Sequence, residues 1–536
     1  MTNKMGINSK LLRFAWWGLA VVVFSLVIAI RVRLMGMPLE RDEGEYAYAG
    51  QLMLQGVPPY KLAYNMKFPG TYAAYAGIMA IFGQTISGIH LGLLLINAAT
   101  IVLIFFLGRR LINSTAGIAA AASYAVLSVS PFVLGLAGHA THFVVLPVLG
   151  GALLLLKEGD RRSRRTLFAS GFLFGIGLLM KQPAISFVLF GATYLVSKDV
   201  QRRLDVRRIL LRGLTFGAGA IFPFAFTCLL LWYAGVFGKF WFWTIDYARQ
   251  YAGLVPLTEA PRLFSTTITL VMGAAWPLWT LAGIGVVTGL CSRQNRASAV
   301  FLLELLAFSA LAASAGFYFR SHYFIMVLPA ISLFIGIAAT TLSDFAARHA
   351  SAFRLLPLFL LGVALSMPIF RDRKCFFAFS PVQACRWTYP EHPFPESLRT
   401  AEYVREHTEP NDTIAVLGSE PEIYFYSNRH SATGYIYMYG LMEPQKYARQ
   451  MQEEMIEEVE RARPKYLICM VTKYAWAQRP QSDRLIFNWA NEYPAQNYVL
   501  DGLVTMTPTE TDYFFGYVPQ PIENLKTYIL IYKRRF

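Results

Sequence analysis

The stretch MPLERDEGEYAYAGQLMLQG, residues 37–56, places four acids within six positions, directly after an apolar segment long enough to cross a membrane. The acids are Glu40, Asp42, Glu43 and Glu45. Charge is scarce elsewhere, because 55% of the 536 residues are hydrophobic and only 15% are charged. The spacing of Asp42 and Glu45 predicts a helix N-cap with a capping box, and Gly56 predicts the end of that helix. A carboxylate oriented by such a cap is also placed to act as a general base.

Outward from this stretch, the sequence is built from apolar segments of membrane-spanning length. A helix needs about 20 mostly apolar residues to cross the roughly 30 Å hydrocarbon layer of a bilayer. Eleven such segments lie near residues 12–31, 85–108, 115–134, 141–156, 166–181, 183–197, 213–237, 265–290, 298–317, 323–342 and 355–370. Helix breaks are expected near Gly138 and Pro183, since the runs around them are too long for one span. The pattern excludes an ordinary soluble enzyme and predicts a mostly helical, polytopic membrane bundle.

Basic residues occur in alternate loops, for example Arg109 with Arg110 and the segment 198–212. By the positive-inside rule these loops are cytoplasmic. Eleven spans then place the N-terminus in the cytoplasm and the chain after Phe370 outside the cytoplasmic (inner) membrane. Much of the net charge of +16 lies in these loops, so we predict membrane lipids as partners and no nucleic acid.

From residue 371 onward the apolar runs shorten to strand length and charged residues become frequent. Strands are predicted at 413–417, 466–471, 498–500 and 527–532, and helices at 397–407, 443–463 and 483–492. We therefore predict a membrane domain over residues 1–370 and an extracytoplasmic α/β domain over residues 371–536. Cys375 and Cys385 share one outer loop, where a disulfide is permitted but not required.

A second outer segment, YNMKFPG at residues 64–70, holds Lys67 just above the membrane and predicts a helix from Pro69 to Gly83. Lys67 suits contact with lipid headgroups or binding of an anionic ligand. Other polar candidates on this side are His139, His142, Lys181, Tyr247, Arg249, Arg320 and His322. The aromatic run at 240–251, which holds Tyr247, predicts either an interfacial belt or a stacking platform for a sugar.

His139 and His142 are spaced so that both could reach one ligand from a helical face, but two histidines are too few to predict a metal site. The acids and isolated cations are expected on one side of the membrane. That arrangement suits a lipid-linked phosphate held by Lys or Arg, next to a hydroxyl activated by a carboxylate.

The motif RDEGEYAYA from residue 41, followed by QGVPPY from 55 and KFPGTY from 67, resembles the first outer loop of GT-C glycosyltransferases. The resemblance is to the bacterial branch of the protein O-mannosyltransferase and lipid A aminoarabinose transferase superfamily. It implies inverting transfer of a hexosyl or pentosyl group from a polyprenyl-phosphate donor to a hydroxyl of a glycan, lipid or protein acceptor.

The resemblance also implies roles for individual residues. Asp42 matches the proposed base, with Glu43 as its neighbour or substitute, and Lys67 matches the phosphate-binding lysine. By weaker analogy Arg249 and Arg320 hold the phosphate. The remaining candidates are assigned to substrate binding: His139, His142, Lys181, Tyr247 and His322. Relatives often carry an acid in the second outer loop, where this chain has histidines, so no metal ion or other cofactor is predicted.

Two other classes of protein remain as alternatives. A transporter or flippase for a lipid-linked or small anionic substrate would place ionisable residues near the bilayer midplane and often shows repeated halves. Here the acids lie at the outer surface, and no repeat of the segment pattern is visible. A scaffold or receptor that binds through its C-terminal domain would leave the four acids without a role.

Overall fold

The computed structural model describes residues 2–156, 163–349, 354–507, 510–519 and 525–535. Its first part is helical, because apolar segments in a bilayer must satisfy their backbone hydrogen bonds internally. The helices of this part are α1 (Thr2–Arg33), α2 (Arg41–Leu54), α3 (Gly70–Phe82), α4 (Ile86–Leu111), α5 (Ser114–Leu127), α6 (Ala140–Leu155), α7 (Arg164–Met180), α8 (Ile185–Gln201), α9 (Val206–Tyr233), α10 (Phe237–Trp241), α11 (Ala248–Ala252), α12 (Ala260–Met272), α13 (Trp276–Cys291), α14 (Arg296–Ala313), α15 (Leu328–His349) and α16 (Leu356–Arg371).

Within the described residues, six helical segments are long and apolar enough to cross a membrane. They are Lys10–Arg33, Ile86–Leu111, Val206–Tyr233, Ala260–Cys291, Arg296–Ala313 and Leu328–Arg348. The other five predicted segments fall on helices of 14 to 17 residues, namely α5, α6, α7, α8 and α16. The polytopic helical bundle is therefore confirmed, while the count of eleven spans stays a prediction.

Both predicted helix breaks are present. α6 begins at Ala140, directly after the non-helical chain around Gly138. α7 ends at Met180, and a 3₁₀ turn over Gln182–Ala184 precedes α8. Pro183 lacks a backbone N–H and could not continue α7 without breaking its hydrogen-bond ladder, which explains the second break.

The C-terminal part combines helices with one mixed sheet. Its helices are α17 (Pro381–Thr388), α18 (Phe394–Glu406), α19 (Glu422–Ser427), α20 (Tyr439–Met442), α21 (Ala448–Ala462) and α22 (Leu485–Asn497). Its strands are β1 (Thr413–Leu417), β2 (His430–Ser431), β3 (Tyr466–Val471), β4 (Tyr498–Met506), β5 (Thr511–Phe515) and β6 (Tyr528–Arg534). All four predicted strands and all three predicted helices of this part are found: β1 and β3 have the predicted bounds, the others have shifted ends, and β2 and β5 are additional strands.

The sheet has the strand order β2-β1-β3-β6-β4-β5. β2, β1 and β3 are parallel, whereas the other neighbours are antiparallel. β1 and β3 are almost entirely buried, as their continuous apolar sequences TIAVL and YLICMV require. Met451, Met455 and Val459 lie at helical spacing on one side of α21 and join the hydrophobic core that includes β1 and β3.

By packing, the chain divides into two compact units. The first unit comprises Met1–Met35, His90–Thr227 and Val255–Phe379, and the second comprises Gly36–Ile89, Cys228–Leu254 and Ser380–Phe536. The acid-rich stretch thus belongs to the same unit as the C-terminal sheet. This division does not address membrane placement, so the domain boundary at residue 370 stays a prediction.

Two helices of the first unit, α13 and α15, approach each other closely at a glycine, which has no side chain to keep them apart. A Cβ atom on Gly285 of α13 would lie 1.9 Å from the carbonyl oxygen of Phe334 in α15. Small residues allow the backbones of membrane helices to meet in this way, so Gly285 fixes where these two helices cross.

Cys375 and Cys385 are both free thiols, and the disulfide considered from the sequence is not formed.

Candidate functional site

The acid-rich stretch forms α2, but its N-terminal cap differs from the prediction. Glu40 is the N-cap: its Oε1 accepts a hydrogen bond from the Glu43 N–H (3.0 Å), and the Glu43 carboxylate accepts one from the Glu40 N–H (3.4 Å). The capping box predicted for Asp42 and Glu45 is therefore wrong, because Glu40 and Glu43 satisfy the same spacing two residues earlier. Glu43 is fully buried in this box. Asp42 and Glu45, three residues apart, share another face of α2.

Lys67 joins these two acids. Its ammonium donates to Asp42 Oδ1 (2.7 Å) and to Glu45 Oε2 (2.6 Å). The side chain of Glu45 is only 1% exposed, whereas those of Asp42 and Lys67 are 21% and 22% exposed. A ligand can therefore reach Asp42 and Lys67, while Glu45 supports Lys67 from the interior.

Electrostatics keep Lys67 charged. Burial opposes the charge, but attraction to Asp42 and then Glu45 outweighs it and raises the pKa of Lys67 well above its ordinary value. Burial raises the pKa of Glu45, and attraction to Lys67 offsets part of that rise. The Tyr72 hydroxyl also donates to Glu45 Oε1 (2.5 Å). The site thus combines a cation, Lys67, which can bind an anion, with an accessible carboxylate, Asp42, which can accept a proton.

The C-terminal part contributes Tyr437 to this site. Its hydroxyl donates to the Arg41 carbonyl oxygen (2.9 Å) and lies 3.4 Å from Asp42 Oδ1. Its ring centroid is 5.6 Å from the Lys67 ammonium, within the range of a cation–π interaction. The second unit therefore builds the surroundings of Asp42 from residues nearly 400 positions apart in sequence.

Directly beyond Asp42, α2 packs on the first turn of α19 at Gly44. A Cβ atom on Gly44 would lie 2.7 Å from both the Cβ and the backbone nitrogen of Glu422, a separation that side chains do not tolerate. Glu422 is buried, and its Oε1 accepts a hydrogen bond from the Ser397 hydroxyl (2.7 Å). Burial, with repulsion from Glu420, raises the pKa of Glu422 from 4.5 to about 8. The fold therefore favours the protonated form of this carboxyl.

We expect Glu422→Gln to stabilise the protein at alkaline pH. The pKa of Glu422 is raised by folding from 4.5 to about 8, so its contribution to stability is fully present below pH 4.5 and is lost as pH rises through 8. A glutamine mimics the protonated form at every pH. The Tm of the variant minus that of wild type should grow between about pH 5 and pH 9, and the exposed control Glu406→Gln should show no such trend. A difference independent of pH would contradict the assignment.

In the first unit, the two histidines predicted to share a ligand lie at the start of α6. His139 is the N-cap of α6 and stacks on His322, with ring centroids 4.1 Å apart and planes 6° apart. His142 lies inside the first turn of α6 and is buried. His139 therefore stacks on a residue nearly 200 positions away in sequence, and the binding of one ligand by His139 and His142 stays a prediction.

Lys181 and Arg320 also belong to the first unit, and each lies over an aromatic ring. The Lys181 ammonium is 4.0 Å from the ring centroid of Tyr323, which follows His322. The Arg320 guanidinium is 5.5 Å from the ring centroid of Tyr318. The structure thus brings Lys181 to the segment that carries His322 and places Arg320 at the start of that segment.

The aromatic run of the second unit is not an interfacial belt throughout. Trp243 and Tyr247 are buried in the core with Tyr64 and Tyr435, and the Tyr247 hydroxyl donates to Glu443 Oε2 (2.6 Å). Arg249 is exposed on α11. Tyr247 therefore has a structural partner, and the phosphate role predicted for Arg249 stays a prediction.

Known proteins show the same architecture. Residues 67–232 match the family described as dolichyl-phosphate-mannose-protein mannosyltransferase. The crystal structure of ArnT from Cupriavidus metallidurans bound to undecaprenyl phosphate aligns over 96% of this chain and 97% of that chain, with a TM-score of 0.57 and 14% identity. The chain has the GT-C fold.

Further structures extend the GT-C likeness. ArnT from the same organism in the apo state aligns with a TM-score of 0.58 at 14% identity, over 96% of this chain and 97% of that one. Archaeal oligosaccharyltransferase AglB from Archaeoglobus fulgidus, in complex with an inhibitory peptide and a dolichol-phosphate, aligns with a TM-score of 0.52 at 12% identity, over 95% of this chain and 75% of that one. Among curated proteins, none matches the chain. The resemblance to GT-C proteins predicted from the sequence is confirmed, and the chain is a multi-pass membrane protein.

Sequence reasoning missed two residues that contact Asp42 or Lys67 in the structure, Glu45 and Tyr437. Glu45 was assigned to a cap, although its separation of three residues from Asp42 could have placed both acids on one helix face. Tyr437 carries no such signal, because its contact with Asp42 depends on how the α/β part folds.

Proposed function

We propose that the chain is an inverting glycosyltransferase that moves a hexosyl or pentosyl group from a polyprenyl-phosphate donor to an acceptor hydroxyl. The observation that carries the proposal is the pairing of an accessible carboxylate, Asp42, with the charged ammonium of Lys67. The ArnT structure with undecaprenyl phosphate and the AglB structure with dolichol-phosphate support a lipid phosphate as the donor. Neither of these relatives favours the transporter alternative.

The reaction is a direct displacement at the anomeric carbon of the sugar. The acceptor oxygen forms a bond to that carbon while the bond from the carbon to the phosphate oxygen breaks, which inverts the configuration. Asp42 takes the proton of the acceptor hydroxyl, and Lys67 stabilises the departing polyprenyl phosphate. When the donor phosphate binds Lys67, it competes with Asp42 for the ammonium.

The acceptor is a hydroxyl of a glycan, a lipid or a protein on the outer side of the cytoplasmic membrane, with the N-terminus inside. The basic loops support this orientation, for instance Arg109 with Arg110 and the segment 198–212. We also propose that the reaction uses no metal ion, because the Lys67 ammonium already supplies a positive charge for the phosphate.

The test uses the full chain in proteoliposomes of known orientation, with radiolabelled polyprenyl-phosphate sugars and candidate acceptors. We expect transfer only to acceptors on the side that carries the C-terminal sheet, with inverted anomeric configuration and no loss in EDTA. Translocation of the labelled lipid without transfer would overturn the proposal in favour of a flippase. Transfer abolished by EDTA and restored by a divalent metal would overturn its metal-free form.

A further inference from the structure

Arg41, which immediately precedes Asp42, is tied to the C-terminal part by a charged clamp. Its Nε donates to the Ser419 carbonyl oxygen (2.5 Å), and its Nη2 donates to Glu420 Oε1 (3.0 Å). Its Nη1 donates to the Tyr439 hydroxyl. We define Arg41, Ser419, Glu420 and Tyr439 as the Arg41 clamp. Three separate nitrogens of one guanidinium therefore have directional partners, two in the loop after β1 and one at the start of α20.

The partners of Arg41 are themselves held in place. Glu420 is fully buried, and its second oxygen accepts a hydrogen bond from the Ser419 N–H (2.7 Å). The Tyr439 hydroxyl donates to the Tyr474 carbonyl oxygen (2.9 Å). The clamp thus connects the first turn of α2 to the loop after β1 and to the loop after β3. It does not depend on flexible surface side chains.

The ion pair between Arg41 and Glu420 is buried, and a gain in stability does not by itself explain its presence there. The desolvation of two charges consumes most of their mutual attraction, and well-packed apolar residues of similar size often serve stability as well or better. A rigid guanidinium fork, in contrast, fixes direction and distance in a way that apolar side chains do not. Neighbouring contacts also fix the position of the first turn of α2, since the Tyr437 hydroxyl donates to the Arg41 carbonyl oxygen and α2 packs on α19 at Gly44.

We infer that Arg41 is a positioning residue, through which the C-terminal α/β part sets the location of the Asp42 carboxylate relative to Lys67 and the acceptor. This inference rests on the proposed function for its catalytic consequence. The α/β part is then a component of the catalytic apparatus. A base that is misplaced by about 1 Å can lose about 10²-fold in rate, so small changes in the clamp should act on kcat.

The experiment compares wild type with Arg41→Met, Glu420→Met and the double variant Arg41→Met/Glu420→Met. The single variants leave a buried charge without its partner and should lower the Tm. The double variant should recover the Tm to near the wild-type value. Its kcat should stay about 10²-fold below wild type, with the KM for the donor unchanged within about threefold. Recovery of kcat together with Tm would overturn the inference, because the clamp would then serve stability only.

A second pair in the same unit gives a matched control. Arg386 bonds the buried Glu396, and neither residue is part of the Arg41 clamp. The double variant Arg386→Met/Glu396→Met should keep its kcat within about threefold of wild type, since it does not alter the first turn of α2. An equal loss of kcat in both double variants would show a general effect of the C-terminal part and would overturn the specific role of Arg41.

Amide hydrogen exchange provides a readout that does not require transfer. In Arg41→Met/Glu420→Met, the amides of residues 42–45 should exchange at least about tenfold faster than in wild type, while those of β1 and β3 stay protected. Unchanged exchange in the first turn of α2 would overturn the inference even if wild type showed no transfer. Absence of transfer by wild type would bear on the proposed function alone.

Discussion

Asp42→Asn is expected to lower kcat by about 10²- to 10⁴-fold, the range that general bases contribute in enzymes. The amide has nearly the shape of the carboxylate but cannot accept the proton of the acceptor hydroxyl. Lys67 keeps its bond to Glu45 in this variant, so the fold and the cation remain. Donor binding should be retained or become tighter, because one anion that competes with the phosphate for Lys67 has been removed.

The matched control for this prediction is Glu43→Gln. Glu43 belongs to the capping box, in which glutamine is an accepted substitute, and it is buried away from the bonds of Lys67. We expect kcat within about threefold of wild type for this variant. Single-turnover transfer with saturating donor measures both variants. Full activity of a folded Asp42→Asn variant would exclude Asp42 as the base, and a large loss in Glu43→Gln alone would transfer that role to Glu43.

Lys67→Met is expected to weaken donor binding by about 10- to 100-fold, which corresponds to the loss of one hydrogen bond to a charged group. The variant also removes the cation next to the buried Glu45, and breaking a buried pair in this way costs about 3–5 kcal/mol of stability. Loss of binding could then reflect partial unfolding. The double variant Lys67→Met/Glu45→Gln separates the two effects, because its neutral amide needs no counter-charge.

Binding of polyprenyl phosphate without a sugar, measured alongside Tm, tests this prediction. We expect the double variant to recover most of the Tm but none of the binding. The exposed Lys61, on the same loop, gives a charge-matched control, and Lys61→Met should bind as wild type does. Wild-type affinity in a folded Lys67→Met/Glu45→Gln variant would remove Lys67 from the phosphate site.

The sequence predicts those parts of the fold that depend on neighbouring residues. Apolar runs alone place β1 and β3, and Pro183 alone accounts for the break between α7 and α8. The local sequence does not decide the N-cap of α2, because two pairs, Glu40 with Glu43 and Asp42 with Glu45, both have the spacing of a capping box. In the structure Glu40 and Glu43 form the capping box, and Asp42 and Glu45 both accept hydrogen bonds from Lys67.

Long-range contacts explain the remaining differences. The aromatic residues Trp243 and Tyr247 have the composition of an interfacial belt, but they pack into the core of the second unit. Tyr437 and His322 reach their partners only after segments nearly 400 and nearly 200 residues apart, respectively, have come together. A single sequence contains no local signal for such pairs. Asp42 and Lys67, in contrast, lie in one short motif of the first outer loop, and the sequence alone predicts them as site residues.

The Arg41 clamp has a consequence for the biosynthesis of the protein. Arg41 emerges from the ribosome early, whereas its partners Ser419, Glu420 and Tyr439 are translated about 380 to 400 codons later. Until then Asp42 has local contacts such as the bond from Lys67, but it lacks those that depend on the Arg41 clamp. If the Arg41 clamp positions Asp42 as we infer, transfer of lipid-linked sugars is expected only after the C-terminal part has been translated and has folded.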